Sequence, residues 1–155
     1  MRNALALTAG ALAVVAAVAA VALLHRPPAR GDASDFLASV VRLQLANRFG
    51  DAWTTLNPAH QQVAPRRIYV ACERSRAVSA QLVSLRVVDE SPDRVVLTPG
   101  ETVDAVAVTF DADVRTALGD LRLVLHRHAV PAGSRWTWIL APARYAEYRR
   151  GLCKA

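Results

Sequence analysis

LRLVLHRHAVPAGSRWTWIL, Leu121–Leu140, alternates apolar and polar residues on either side of Pro131-Ala132-Gly133-Ser134. Leu121, Leu123, Leu125 and Ala129 keep a period of two before that break, and Trp136, Trp138 and Leu140 keep it afterwards. Successive side chains of a strand point to opposite sides of a sheet, so this period marks a strand with one buried face. The stretch predicts two antiparallel strands joined by a four-residue loop, with the tryptophan-bearing face dry. Pairing Val130 with Arg135 sets Ala129 opposite Trp136, Arg127 opposite Trp138 and Leu125 opposite Leu140.

The same period recurs upstream. Val106, Val108 and Phe110 share one face of Glu101–Asp111. Matching the two apolar faces pairs Phe110 with Leu121, Val108 with Leu123 and Val106 with Leu125, which brings Asp104 opposite Arg127. A charge pair at the end of an apolar face, with Trp138 beside it for cation–π contact, makes Asp104, Arg127 and Trp138 the ligand-pocket candidates. The alternative is a cross-strand pair that only closes the rim of the core. Before this, Val83, Leu85 and Val87 alternate, Glu90-Ser91-Pro92-Asp93 reads as a reversing turn, and Val95–Leu97 reads as a short return strand.

Helical spacing dominates the first third of the domain. Asp32 or Ser34 is placed to cap a helix bearing Phe36, Leu37, Val40, Val41, Leu43 and Leu45, which Gly50 ends. Asp51 caps a second, with Trp53 and Leu56, and Asn57-Pro58 stops it because the residue before proline is pushed from helical angles. Pro65 opens a third, Arg66–Arg76, and Pro142 opens a short last one with Tyr145 and Tyr148. Helices first and sheet last predict an α+β domain, three N-terminal helices packed on an antiparallel sheet.

The chain of 155 residues has room for one such domain after an apolar leader. The organisation read is 1–25 transmembrane anchor or signal peptide, 26–33 linker and 34–155 folded domain. Residues 4–24 carry no charge, and as a helix they would extend about 31 Å, enough for a hydrocarbon core of about 30 Å. Ala17-Val18-Ala19 and Ala20-Val21-Ala22 also offer small-residue cleavage patterns, so anchor and cleaved signal both stand. Cys72 and Cys153 lack any zinc-like spacing, leaving an intramolecular disulfide, two thiols or an intermolecular link. An intramolecular bridge points to an oxidising compartment and hence to a domain outside the cytoplasm, on the membrane or secreted.

The formal charge of +6 comes from eighteen arginines and one lysine. They are scattered instead of forming one basic run, so no nucleic-acid partner is assigned. The basic, aromatic tail Arg144–Arg150 reads as a solvated helix or as a contact for anionic envelope polymer or headgroups. His126-x-His128 has metal-ligand spacing but no assignable third ligand, so neither metal nor other cofactor is expected. His60 has no acidic neighbour in sequence to orient it and reads as a backbone-bonded residue. G-x-S-x-G and Gly-rich phosphate loops are absent from the sequence, and no catalytic residue is assigned.

Trp53-x-x-Leu56-x-Pro58, Tyr69-Val70-x-Cys72 and Arg135-Trp136-x-Trp138 resemble motifs of the nuclear transport factor two-like superfamily, also called cystatin-like or polyketide-cyclase-like. The likeness covers about Ser34 to Gly151 and is strongest to small actinobacterial envelope proteins carrying this domain after a signal or anchor helix. It implies a cone of curved antiparallel sheet closed by three helices. It leaves function open, because one fold hosts isomerases, dehydratases, adaptors and inert ligand binders. The expected function is a non-catalytic, membrane-tethered binding module for an envelope protein or a small apolar ligand, with Val124, Val130 and Ile139 on the outer face offering a partner or homodimer surface. The alternative is a cone-pocket isomerase or dehydratase with Asp104 as base, assisted by His60 or Arg127.

Overall fold

The computed structural model of the chain describes residues 31–153. The leader and most of the linker lie outside them. Among the described residues no helix is long and apolar enough to cross a membrane.

Helix α1 (Gly31–Leu45) buries Ala33, Leu37, Val40 and Val41, a stripe at helical spacing. It stops well before Gly50, because Asn47 adopts the left-handed conformation at φ 58°, which asparagine tolerates better than most residues. Gly50 instead lies inside α2 (Phe49–Thr54). The sequence Asn57-Pro58 ends α2 and also starts α3 (Pro58–Val63): the Asn57 Oδ1 accepts from the Ala59 N–H at 3.0 Å, and Pro58 occupies the first turn, where its missing N–H costs nothing. His60 therefore stands on a helix. With α4 (Arg66–Arg76), four helices precede the sheet among the described residues instead of three.

The sheet is open and antiparallel in the order β1-β2-β3-β4, comprising Ala80–Thr98, Glu101–Thr116, Gly119–Ala132 and Arg135–Trp138. Glu90-Ser91-Pro92-Asp93 does not reverse the chain; β1 runs through it and pairs with β2 along its whole length. Proline is tolerated there because β1 is an edge strand, and the strand absorbs its irregularities in three register shifts.

Both expected registers are displaced. Phe110 pairs with Leu125 and Val108 with Arg127, four residues from the anticipated alignment. Ala129 pairs with Trp138 and Ala132 with Arg135, two residues from it, because the hairpin closes through Gly133-Ser134 alone with Gly133 at φ 65°. Even displacements leave every side chain on its expected face. Val106, Val108 and Phe110 are thus buried against α1 to α4 together with Ala129, Trp138 and Tyr69. Trp138 is dry and Trp136 half-buried.

A second, smaller core occupies the opposite face near the β3–β4 hairpin, where Leu97, Ala105, Val130 and Ile139 pack with Ala59 of α3. This corrects the expected partner surface. Val130 and Ile139 are buried, and only Val124 remains open, amid the ion pairs Arg122–Asp113 and Arg86–Asp111. Helix α5 (Pro142–Arg149) returns the chain across α4, and Cys153 reaches disulfide distance from Cys72 with a Cα–Cα separation of 5.8 Å.

Candidate functional site

The length of β4 creates the site. Trp138 leaves the sheet after four strand residues because the helix corner takes its backbone: its N–H donates to the Thr55 carbonyl at 3.2 Å and its carbonyl accepts from the Asn57 N–H at 2.8 Å. Its indole N–H donates to the Ala52 carbonyl at 2.8 Å. The corner Trp53-x-x-Leu56-x-Pro58 is thereby docked on the last strand. Beyond Ala129, no strand of the described residues pairs with β3 on that side, and a cavity of about 540 Å³ opens between it, the ends of α1 and α4, and the segment entering α5. Val114, Leu121 and Leu123 supply its sheet wall, Leu45 and Phe49 part of its helical wall, and Trp138 its base. Leu121 and Val78 are exposed and mark its mouth.

Polar groups collect at one side. Arg127 projects from the core face of β3, where cross-strand pairing with Val108 places it. Its Nη1 donates to the His126 carbonyl at 2.9 Å and its Nη2 to Gln44 Oε1 at 3.3 Å, whereas its buried Nε has no partner. Burial pushes the guanidinium below its ordinary pKa, opposed by the nearby Tyr69 and Glu73. Gln44 in turn donates to the Tyr69 hydroxyl at 3.5 Å. That phenol is held near a pKa of about 12, mainly by burial. It is therefore a neutral hydrogen-bonding group, not an activated acid.

Glu73, one helical turn from Tyr69, accepts from Arg144 and from the Tyr148 hydroxyl, the latter at 2.7 Å. Burial and the carboxylate raise the Tyr148 pKa. Arg144 also meets Glu147 at 2.7 Å, as does Arg76. The cavity wall thus contains three arginines and one glutamate, and two of the arginines are already in ion pairs.

Of the sequence-predicted residues, the cavity brings together Arg127 and Trp138 but not Asp104. Because of the four-residue displacement, Asp104 pairs with Arg94, 3.5 Å away on an exposed stretch of the edge hairpin. The Asp104–Arg127 pair is therefore not formed. Cation–π contact falls on Arg144 over Tyr148, at 5.6 Å, instead of Arg127 over Trp138. His126 and His128 are engaged separately, with Thr109 at 3.0 Å and Asp93 at 2.9 Å. Among the described residues no group of His, Cys, Asp and Glu is arranged to hold a metal.

His60 lies outside this cluster and is fully buried. Its Nδ1 accepts from the Leu140 N–H at 3.0 Å, which leaves Nε2–H to donate to the Leu97 carbonyl at 2.9 Å. Burial lowers its pKa, so the neutral ring is the form the fold holds.

Gln44, Tyr69, Glu73 and Arg144 were not singled out as pocket residues. Their signal in the sequence is weak but physical. Gln44 continues the stripe of Val40 and Val41, Glu73 follows Tyr69 by one turn, and Arg144 precedes Tyr148 by one, so each is a polar residue on an otherwise inward helical face. No protein-family model matches the sequence, and no curated protein matches it.

Proposed function

We propose that this chain is a non-catalytic binding module of the nuclear transport factor two-like kind, tethered to the outer face of a membrane, and that its cavity takes a small apolar ligand. The observation that carries this reading is the cavity itself, about 540 Å³ walled by Val114, Leu121, Leu123, Leu45, Phe49 and Trp138. That volume falls within the roughly 300–1,000 Å³ of pockets that enclose small molecules. Helices packed on an antiparallel sheet, with the tryptophan-bearing last strand docked on the Trp53 corner, support the family assignment. A cysteine pair at disulfide distance supports the location, because such bridges persist in oxidising compartments. The isomerase or dehydratase alternative loses the base it was built on, since Asp104 stands outside the cavity.

Titration of the purified full chain with the neutral dye N-phenyl-1-naphthylamine tests the reading. Saturable fluorescence enhancement at one dye per chain is expected, and Leu123→Trp, whose indole occupies the cavity, abolishes it. Dye uptake that never saturates, or that is the same in Leu123→Trp and wild type, refutes the reading.

A further inference from the structure

Arg127 is a half-buried charge whose Nε is fully enclosed and which has no ion-pair partner among the described residues. A guanidinium offers five N–H donors, and two are accounted for, one by a backbone carbonyl and one by a neutral amide. No described residue accepts from Nε, and no carboxylate of the described residues reaches Arg127 at ion-pair distance. The contrast with its neighbours is informative. Arg144 is held by Glu73 and Glu147, and Arg76 by Glu147, so the two glutamates neutralise the two other arginines of this wall. One positive charge remains unpaired, on a cavity whose sheet wall is formed by Val114, Leu121 and Leu123. Charges withdrawn from water are ordinarily paired, so a ligand that supplies the missing negative charge to a partly desolvated guanidinium gains from it.

Resting on the reading of the cavity as a ligand site, we infer that Arg127 makes it selective for a monoanion on an apolar chain, namely the carboxylate of a long-chain acid. A carboxylate matches the planar fork of a guanidinium with two parallel hydrogen bonds. The Tyr69 hydroxyl and the Gln44 amide stand next to that fork as additional neutral partners. A single compensating charge is what the accounting requires. A phosphate dianion would bring a second negative charge beside Glu73, whose own arginine, Arg144, is already shared with Glu147. The alkyl chain then runs from Arg127 past Leu123 towards the mouth at Leu121.

Displacement of N-phenyl-1-naphthylamine from the full chain by decanoate, decanol and decyl phosphate tests this, with Leu123→Trp as the blank for partition outside the cavity. Decanoate is expected to compete at least tenfold better than decanol and better than decyl phosphate. In Arg127→Gln, decanoate and decanol should become equal while decanol binding persists. If the variant does not fold, the wild-type comparison of the three competitors still decides. Equal competition by decanoate and decanol overturns the assignment of Arg127 yet leaves the cavity as a ligand site. Tighter competition by decyl phosphate overturns the monoanion. Failure of the dye itself to saturate removes both readings together.

Discussion

Replacing His60 by alanine removes a side chain that holds three parts of the domain in place. From α3 the ring accepts from the Leu140 N–H and donates to the Leu97 carbonyl, and it lies 4.7 Å from the Tyr145 ring of α5. Alanine leaves one buried donor and one buried acceptor without partners, at about 1–3 kcal/mol each, and opens a void in place of the ring. A total loss of about 3–5 kcal/mol follows, a large share of the roughly 5–15 kcal/mol that stabilises a domain. Urea unfolding followed by tryptophan fluorescence at pH 7.5 measures it.

The pH dependence separates this role from simple packing. The folded-state pKa of His60 lies below the ordinary 6.5, so between the two values the unfolded chain binds the proton and the folded chain does not. Stability contributed by the neutral ring is present above about pH 6.5 and is lost as the pH falls through the folded-state value. The wild type should therefore lose stability between pH 7 and 5 more steeply than His60→Ala. A cost below about 0.5 kcal/mol, or parallel pH profiles for the two proteins, refutes the account.

Reduction, or the paired substitution Cys72→Ser and Cys153→Ser, should lower stability by up to about 4–5 kcal/mol on the loop-entropy relation for a separation of 81 residues; an unchanged urea midpoint under reductant would show that the two thiols are not joined in solution. Asp104→Asn should shift stability by no more than about 0.5 kcal/mol, since Asp104 pairs with Arg94 in full contact with water, and should leave dye binding unaltered. Loss of dye binding in that variant would return Asp104 to the site.

Fold class was legible because it depends on periods and their order. The alternation of Val106, Val108 and Phe110 with the run from Leu121 to Ala129 fixes which side of each strand is buried, and the structure keeps those sides. What the alternation does not fix is how far one strand slides along its neighbour, since every displacement by two residues presents an equally apolar face. Only the turns break that degeneracy: Gly133-Ser134 closes the last hairpin as a two-residue loop, and Thr116 faces Gly119 at the end of the previous one. Asn57-Pro58 also opens a helix, and Glu90-Ser91-Pro92-Asp93 continues a strand, for a related reason. Proline marks a helix start as readily as a helix stop, and on an edge strand it marks neither.

The same degeneracy explains why Arg127 belonged in the pocket although the pair that first put it there does not exist. Parity alone places residue 127 on the core face, between Leu125 and Ala129, and any arginine on that face must find an acceptor or border a space. Asp104 has the same parity as Val106, but it lies past the end of the helical cover, where the face is wet and an aspartate needs no partner from the core. Position along the strand, not side, separates the two residues. The displaced register turns the expected closed pair into an exposed Asp104 and an Arg127 with no carboxylate at ion-pair distance, and so replaces a closed rim with a cavity wall. The uncompensated charge is a consequence of tertiary alignment, and no local pattern in the sequence encodes it.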